Sequence, residues 1–182
     1  MEVLDAIKTR RSIRRYREDA VDEKTLEVVL DAAHWAPSWA NTQCWRFVVV
    51  QDGRMRAELA ETLSEGNPAH EAIRDAPVVI VACAELEKSG FYRGEPRTDK
   101  GDWFMFDVAL AMQNLVLAAH ALGLATVHVG LFDAARAEDL LDVPDGYCAV
   151  AMTPLGYPDQ EARTPPRRDL TDMVFYEKFG AR

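Results

Sequence analysis

The sequence predicts an α+β fold, and three observations carry that prediction. Short runs of strand length and β-rich composition recur at residues 46–51, 78–84, 124–129 and 147–155. A single long helical stretch, Asp102 to Leu122, is apolar on most of its circumference, so it must be buried on nearly all sides. Strands and helices follow one another without regular βαβ alternation, which disfavours a doubly wound sheet.

Taken in order, Glu2 to Thr9 has helical spacing through Val3, Ala6 and Ile7. Asp22 reads as the N-cap of a helix from Lys24 to Trp35, with Leu26, Val29, Leu30 and Ala33 on one side. Pro37 stops it, and the segment APSWANTQCWRF leads into a strand from Arg46 to Gln51. Asp52–Gly53 is a turn before an amphipathic helix from Met55 to Ser64. Pro77 precedes the apolar run VVIVACA. The polar stretch Glu87 to Lys100 reads as a mobile loop. Gly123 is a natural left-handed residue after the long helix. A strand from Leu124 to Val129, a helix from Asp133 to Leu141, a Pro144–Asp145–Gly146 turn and a strand from Tyr147 to Leu155 follow. From Asp159 the chain is polar and proline-rich, and Leu170 to Phe179 is apolar again. That pattern fits either an arm docking on a partner subunit or an ordinary surface wrap. There is no repeat and no linker, so residues 1–182 are expected to form one domain.

Bulk properties exclude several classes. The chain has 182 residues, 48% hydrophobic and 28% charged, with a net charge of −9. An acidic surface argues against general nucleic-acid binding and against anionic membranes. The apolar region from Val108 to Val129 is broken by Gln113, Asn114, His120 and His128, and reads as a buried helix entering a strand, not a membrane span. The N-terminus has no signal-peptide core. Cys44, Cys83 and Cys148 match no metal spacing, and a reducing cytoplasm with no metal site is expected.

Against this acidic background, residues 10–17 hold five arginines. They form either a solvated helix end, a small nucleic-acid patch, or an anion site built from guanidinium forks with the Ser12 hydroxyl. Asn41, Gln43 and Arg46 lie in the Pro/Trp loop, where amides can read a heterocycle edge or simply form turns. Arg167–Arg168 follows Pro165–Pro166. No GxGxxG, P-loop, GxSxG or HExxH pattern is present.

The order of these pieces resembles the FMN-dependent nitroreductase family over nearly the whole chain. The motifs are RRSIRRY (10–16), APSWANTQCWRF (36–47), DVALAMQNLVLAAHALGL (107–124), VHVGLFD (127–133), TPLGYP (153–158) and PPRRDLTDMV (165–174). Each is weak alone, and their order is what makes them specific. The resemblance implies a central mixed, mainly antiparallel sheet flanked by helices. It also implies a homodimer with exchanged C-terminal arms and FMN at the interface. By the same resemblance Arg10, Arg11 and Ser12 bind the FMN phosphate or ribityl chain, and Arg14 lies near the pyrimidine side of the ring. Pro37, Ser38 and Trp39 reach the flavin from the partner, while Asn41 bonds its pyrimidine edge. Gly130 and Leu131 turn backbone N–H groups toward N5, and Arg167, or Arg168 if the register slips by one, closes on the phosphate.

The implied activity is a ping-pong NAD(P)H oxidoreductase passing hydride through flavin N5 to a nitroaromatic or quinone, with no catalytic side chain required. Alternatives on the same fold are reductive dehalogenation, flavin cannibalisation, or flavin binding without catalysis. Trp39, Cys44 and Leu131 depart from the family pattern of a small residue, a proline and a small residue at those positions. No fingerprint separates NADH from NADPH. Lys88, Arg93, Arg97 and Lys100 form either a contact for a 2′-phosphate or a solvated loop.

Overall fold

A computed structural model describes residues 1–181. Helix α1 (Val3–Thr9) leads through the arginine-rich segment to α2 (Glu23–His34). The Asp22 carboxylate accepts from the Thr25 backbone N–H at 3.0 Å and the Thr25 hydroxyl at 2.6 Å, satisfying a donor that the first helical turn leaves free. A 3₁₀ turn (Trp39–Asn41) enters β1 (Trp45–Val50), and Asp52 caps α3 (Gly53–Ala60). Next come α4 (His70–Asp75), β2 (Val78–Glu85) and a small hairpin, β3 (Phe91–Tyr92) with β4 (Glu95–Pro96). Helix α5 (Phe104–Ala121), β5 (Ala125–Thr126), α6 (Ala134–Leu140) and β6 (Tyr147–Gly156) complete the body. The tail carries one 3₁₀ turn (Leu170–Asp172).

The main sheet runs β1–β2–β6–β5, antiparallel throughout. Ser12 makes a parallel bridge to Thr126 beyond β5, so the sheet is mixed at that edge. β2 explains its own composition. Val78, Ile80, Ala82 and Ala84 pack with α2 and α5, while Val79, Val81 and Cys83 pack with α3, α4 and α6. A strand covered on both faces has no use for alternation, and none is present.

Two expected elements differ from the structure for local reasons. The segment 124–129 pairs with β6 only at Ala125 and Thr126, then again at Val129 opposite Met152. The register places Val127 opposite Pro154, which has no N–H to give, so the ladder is interrupted there. Within residues 87–100 the chain forms the β3–β4 hairpin instead of an irregular loop. α5 matches its expected span closely, yet it is covered on one side only: Met105 and Phe106 are exposed, as are Val3, Leu4 and Ile7 of α1.

Ile80, fully buried at the centre of β2, tests this arrangement. Ile80→Ala is expected to destabilise the protein by about 2–5 kcal/mol, seen as a lower denaturant midpoint with an unchanged slope. A loss below about 1 kcal/mol would be incompatible with the packing described.

Candidate functional site

The arginine-rich segment is fixed by the sheet edge. Ile13 is buried as an anchor and its N–H donates to Thr126 O at 3.0 Å. Arg17 N–H donates to Tyr157 O, Asp159 N–H to Arg15 O, and Arg14 N–H to Gln160 Oε1 at 3.1 Å. The segment is thereby stitched between β5 and the start of the tail. Arg11 is largely spent on structure: its guanidinium donates to Lys8 O and Arg10 O at 2.8 Å and to Thr164 Oγ1 at 3.2 Å.

Between this segment and the tail lies an open cleft of about 1240 Å³ lined by Arg10, Arg11, Ser12, Arg14, Arg15, Arg163 and Arg167, with Glu161 the one carboxylate among the described residues. Arg10 Nη1 and Arg14 Nε are buried without a hydrogen-bond partner among the described residues. Burial, then the charges of Arg11 and Arg167, pull the Arg10 pKa below its ordinary value. Convergent cations with unmet donors are unfavourable alone and are relieved by an anion, best of all a phosphate that accepts several N–H groups at once. At the cleft's margin Thr9 Oγ1 and His120 Nε2 lie 2.8 Å apart. Burial, Arg10 and Arg11 lower the His120 pKa, which keeps that imidazole neutral at pH 7.

A second cavity, of about 430 Å³, lies between α5 and β6. Met105, Val108, Ala109, Met112, Val150 and Ala151 give it apolar walls, and Gln113, His128 and Gly130 give it polar points. Among the described residues, the Gly130 and Leu131 backbone N–H groups donate to no protein acceptor. The Leu131 carbonyl accepts from Asn67 Nδ2 at 3.1 Å, and its side chain is exposed. A slot with apolar walls and free backbone donors suits the edge and faces of a planar heterocycle.

The loop 37–43 is held in an uncommon conformation. Ala40, Asn41 and Gln43 all have positive φ, at 45°, 56° and 49°, costing of order 1 kcal/mol each for the non-glycine residues. Several bonds impose it. Ser38 Oγ accepts from Gln43 N–H at 2.9 Å, and Gln43 Nε2 donates to Asn41 Oδ1 at 3.2 Å. The Trp39 N–H donates to both oxygens of Asp107 at 3.0 and 3.1 Å. Asp107 is fully buried in the first turn of α5 and also accepts from Ser89 Oγ at 2.6 Å. Cys44 Sγ lies 3.9 Å from it. Burial, then Asp107, pushes the Cys44 thiol up to about 12, so it stays a protonated, unreactive thiol.

The structure thus brings Arg10, Arg11, Ser12, Arg14 and Arg167 into one cleft and puts Gly130 in the second cavity. Pro37, Ser38, Trp39 and Asn41 sit on the separate loop, and Arg168 lines neither space. Arg46 is occupied elsewhere, paired with Glu85 at 3.1 Å and lying over the Tyr147 ring. Sequence reasoning did not single out Asp107, Gln160 or Arg163. For Asp107 the signal was present, a carboxylate inside an otherwise apolar helix.

Comparison with known proteins points to one family. A family model described as the nitroreductase family matches residues 7–73 and 64–157. A protein of Methanothermobacter thermautotrophicus, provisionally named an NADH dehydrogenase/NAD(P)H nitroreductase, is 38% identical over 98% of this chain and 88% of its own. A 5,6-dimethylbenzimidazole synthase of Rhodospirillum rubrum is 33% identical over 89% and 85% of the two chains. An FMN-dependent nitroreductase structure from Clostridium difficile R20291 superposes with a TM-score of 0.82 at 27% identity, covering 97% and 99%.

Removing the Asp107 carboxylate strands the donors of Trp39 and Ser89. Asp107→Ala is expected to cost about 3 kcal/mol and Ser89→Ala about 1 kcal/mol, measured by chemical denaturation. Equal effects from the two would show that Asp107 does not anchor the loop.

Proposed function

The chain belongs to the nitroreductase family, and from that premise we propose that it is an FMN-dependent NAD(P)H oxidoreductase acting on an electron-poor acceptor such as a nitroaromatic or quinone. The observation that carries the reading is the cluster of convergent arginines whose buried donors, Arg10 Nη1 and Arg14 Nε, lack partners. FMN fits that donor set through its phosphate, and once bound it supplies the two-electron hydride chemistry that no side chain can.

The chain's own residues then have separable tasks. Arg10 and Ser12 take the phosphate end, and Arg167 closes over it from the tail. Arg11 fixes the tail to the cleft through Thr164. Arg14 supplies a fixed cation, which favours any state of the ligand that gains negative charge. Gly130 and Leu131 offer free backbone N–H groups beside apolar walls that accept planar molecules and exclude water.

We further propose a homodimer of one-domain subunits, without membrane or nucleic-acid partners. Its support is apolar surface with no cover: Met105 and Phe106 on α5, Val3, Leu4 and Ile7 on α1, and Leu170, Met173, Tyr176 and Phe179 on the arm, the last 96% exposed. Loop 37–41 would then serve the partner's flavin. A cytoplasmic setting accords with three free cysteines. A second reading keeps the fold and changes the fate of the cofactor, and the benzimidazole synthase relative favours it. FMN recovered intact after turnover separates the first reading from the second, which consumes it.

The purified protein is expected to be yellow, to release FMN on heating, to oxidise NADH or NADPH with a nitroaromatic or quinone, and to sediment as a dimer. Arg10→Ala is expected to weaken FMN binding at least roughly tenfold, the value of one charge-assisted hydrogen bond. A colourless protein that takes up no added FMN would overturn the assignment, and unchanged affinity in Arg10→Ala would remove that residue from it.

A further inference from the structure

The β3–β4 hairpin turns on Arg93 and Gly94, both at positive φ, 55° and 78°, the geometry of a two-residue type I′ turn. Glycine adopts it freely. Arginine does so at a cost that asparagine or glycine would avoid. The result is a specific placement. The Arg93 guanidinium lies over the Tyr92 ring, 5.2 Å from its centroid, and that of Arg97 lies over the same ring at 4.9 Å. The ring itself is half exposed. Neighbouring lysines are neutralised, Lys88 by Glu85 at 3.1 Å and Lys100 by Asp99 at 3.0 Å. Among the described residues, neither Arg93 nor Arg97 has a carboxylate within ion-pair distance.

The hairpin is seated rigidly. Gly90, also at positive φ, packs so closely that a Cβ there would lie 2.6 Å from Trp103 Cδ1. Trp103 Nε1 donates to Thr98 Oγ1 at 2.7 Å, and its backbone N–H donates to Ser89 O at 3.0 Å. Ser89 in turn donates to Asp107, which holds the 37–43 loop. The hairpin therefore stands at the N-terminal end of α5, the helix whose Met105, Val108 and Met112 line the cavity that contains Gly130.

We propose that Tyr92, Arg93 and Arg97 form a recognition site for the adenosine 2′-phosphate of NADPH, an inference that rests on the oxidoreductase reading above. Two guanidiniums are steadied by one ring, Arg97 also by its Nη2 donating to Tyr92 O at 3.4 Å, and with no carboxylate paired to either among the described residues, their remaining N–H groups can take a dianionic phosphate. Their planes also offer stacking to adenine. NADH carries a hydroxyl at that position and gains little from either cation.

The test uses FMN-loaded protein, so the Arg10 cleft is filled, and calorimetric titration with adenosine 2′,5′-bisphosphate, 5′-AMP and inorganic phosphate. Arg93→Asn removes the cation and suits the turn, and Arg97→Gln leaves the backbone alone, so both should fold. Each is expected to weaken bisphosphate binding roughly tenfold and to lower the NADPH:NADH ratio of kcat/KM by a similar factor. Bisphosphate binding no tighter than 5′-AMP, inorganic phosphate competing as well as the nucleotide, or unchanged values in both variants would overturn the proposal. The two readings fail separately. Equal use of both nucleotides by a working enzyme refutes the 2′-phosphate site alone. Arginine-dependent bisphosphate binding by a protein that neither nucleotide reduces supports the site and refutes the oxidoreductase reading.

Discussion

One buried carboxylate sets the relation between the parts of this molecule that matter for binding. Asp107 lies in the first turn of α5, where the positive end of the helix dipole partly offsets the cost of burying a charge. The remaining cost is met by donors from two distant segments, the Trp39 N–H and the Ser89 hydroxyl. The left-handed run Ala40–Gln43, the base of the β3–β4 hairpin and the principal core helix are thus tied to a single group. No other side chain in the described residues links the loop to the hairpin in this way.

The anion cleft depends on a different support. Its arginines lie on an extended segment bonded to the sheet edge through Ile13, Arg15 and Arg17. The anchoring matters because guanidinium forks discriminate by geometry, and geometry requires a backbone that does not move. Repulsion among Arg10, Arg11 and Arg167 is tolerated because the fold holds them together against it. Such a cluster is a stored preference for negative charge, built where net charge alone would predict none.

Much of this was legible in the sequence where the information is local. VVIVACA marked the doubly covered strand, Asp22 marked a helix start, and the span 102–122 lay within two residues of α5. The arginine cluster and Arg167 were found as well, though only ordered motifs gave them a shared purpose. What escaped was what distance conceals. Helix α4, six residues long, is too short for periodicity to register. The Pro154 gap depends on which residue faces Val127 across the sheet. Asp107 joins partners 68 and 18 residues away, and a single aspartate in an apolar run does not say what it will meet.

The sheet order has a consequence for the chain's synthesis. β2, the most apolar strand, pairs early with β1, but its other edge waits for β6, which the ribosome delivers only after the whole stretch that contains the hairpin, α5, β5 and α6. Through that interval the nascent chain presents an open, hydrophobic strand edge, the state in which one polypeptide most readily joins another. That exposure is written into the connectivity, and it lasts while the stretch between Glu85 and Tyr147 is made.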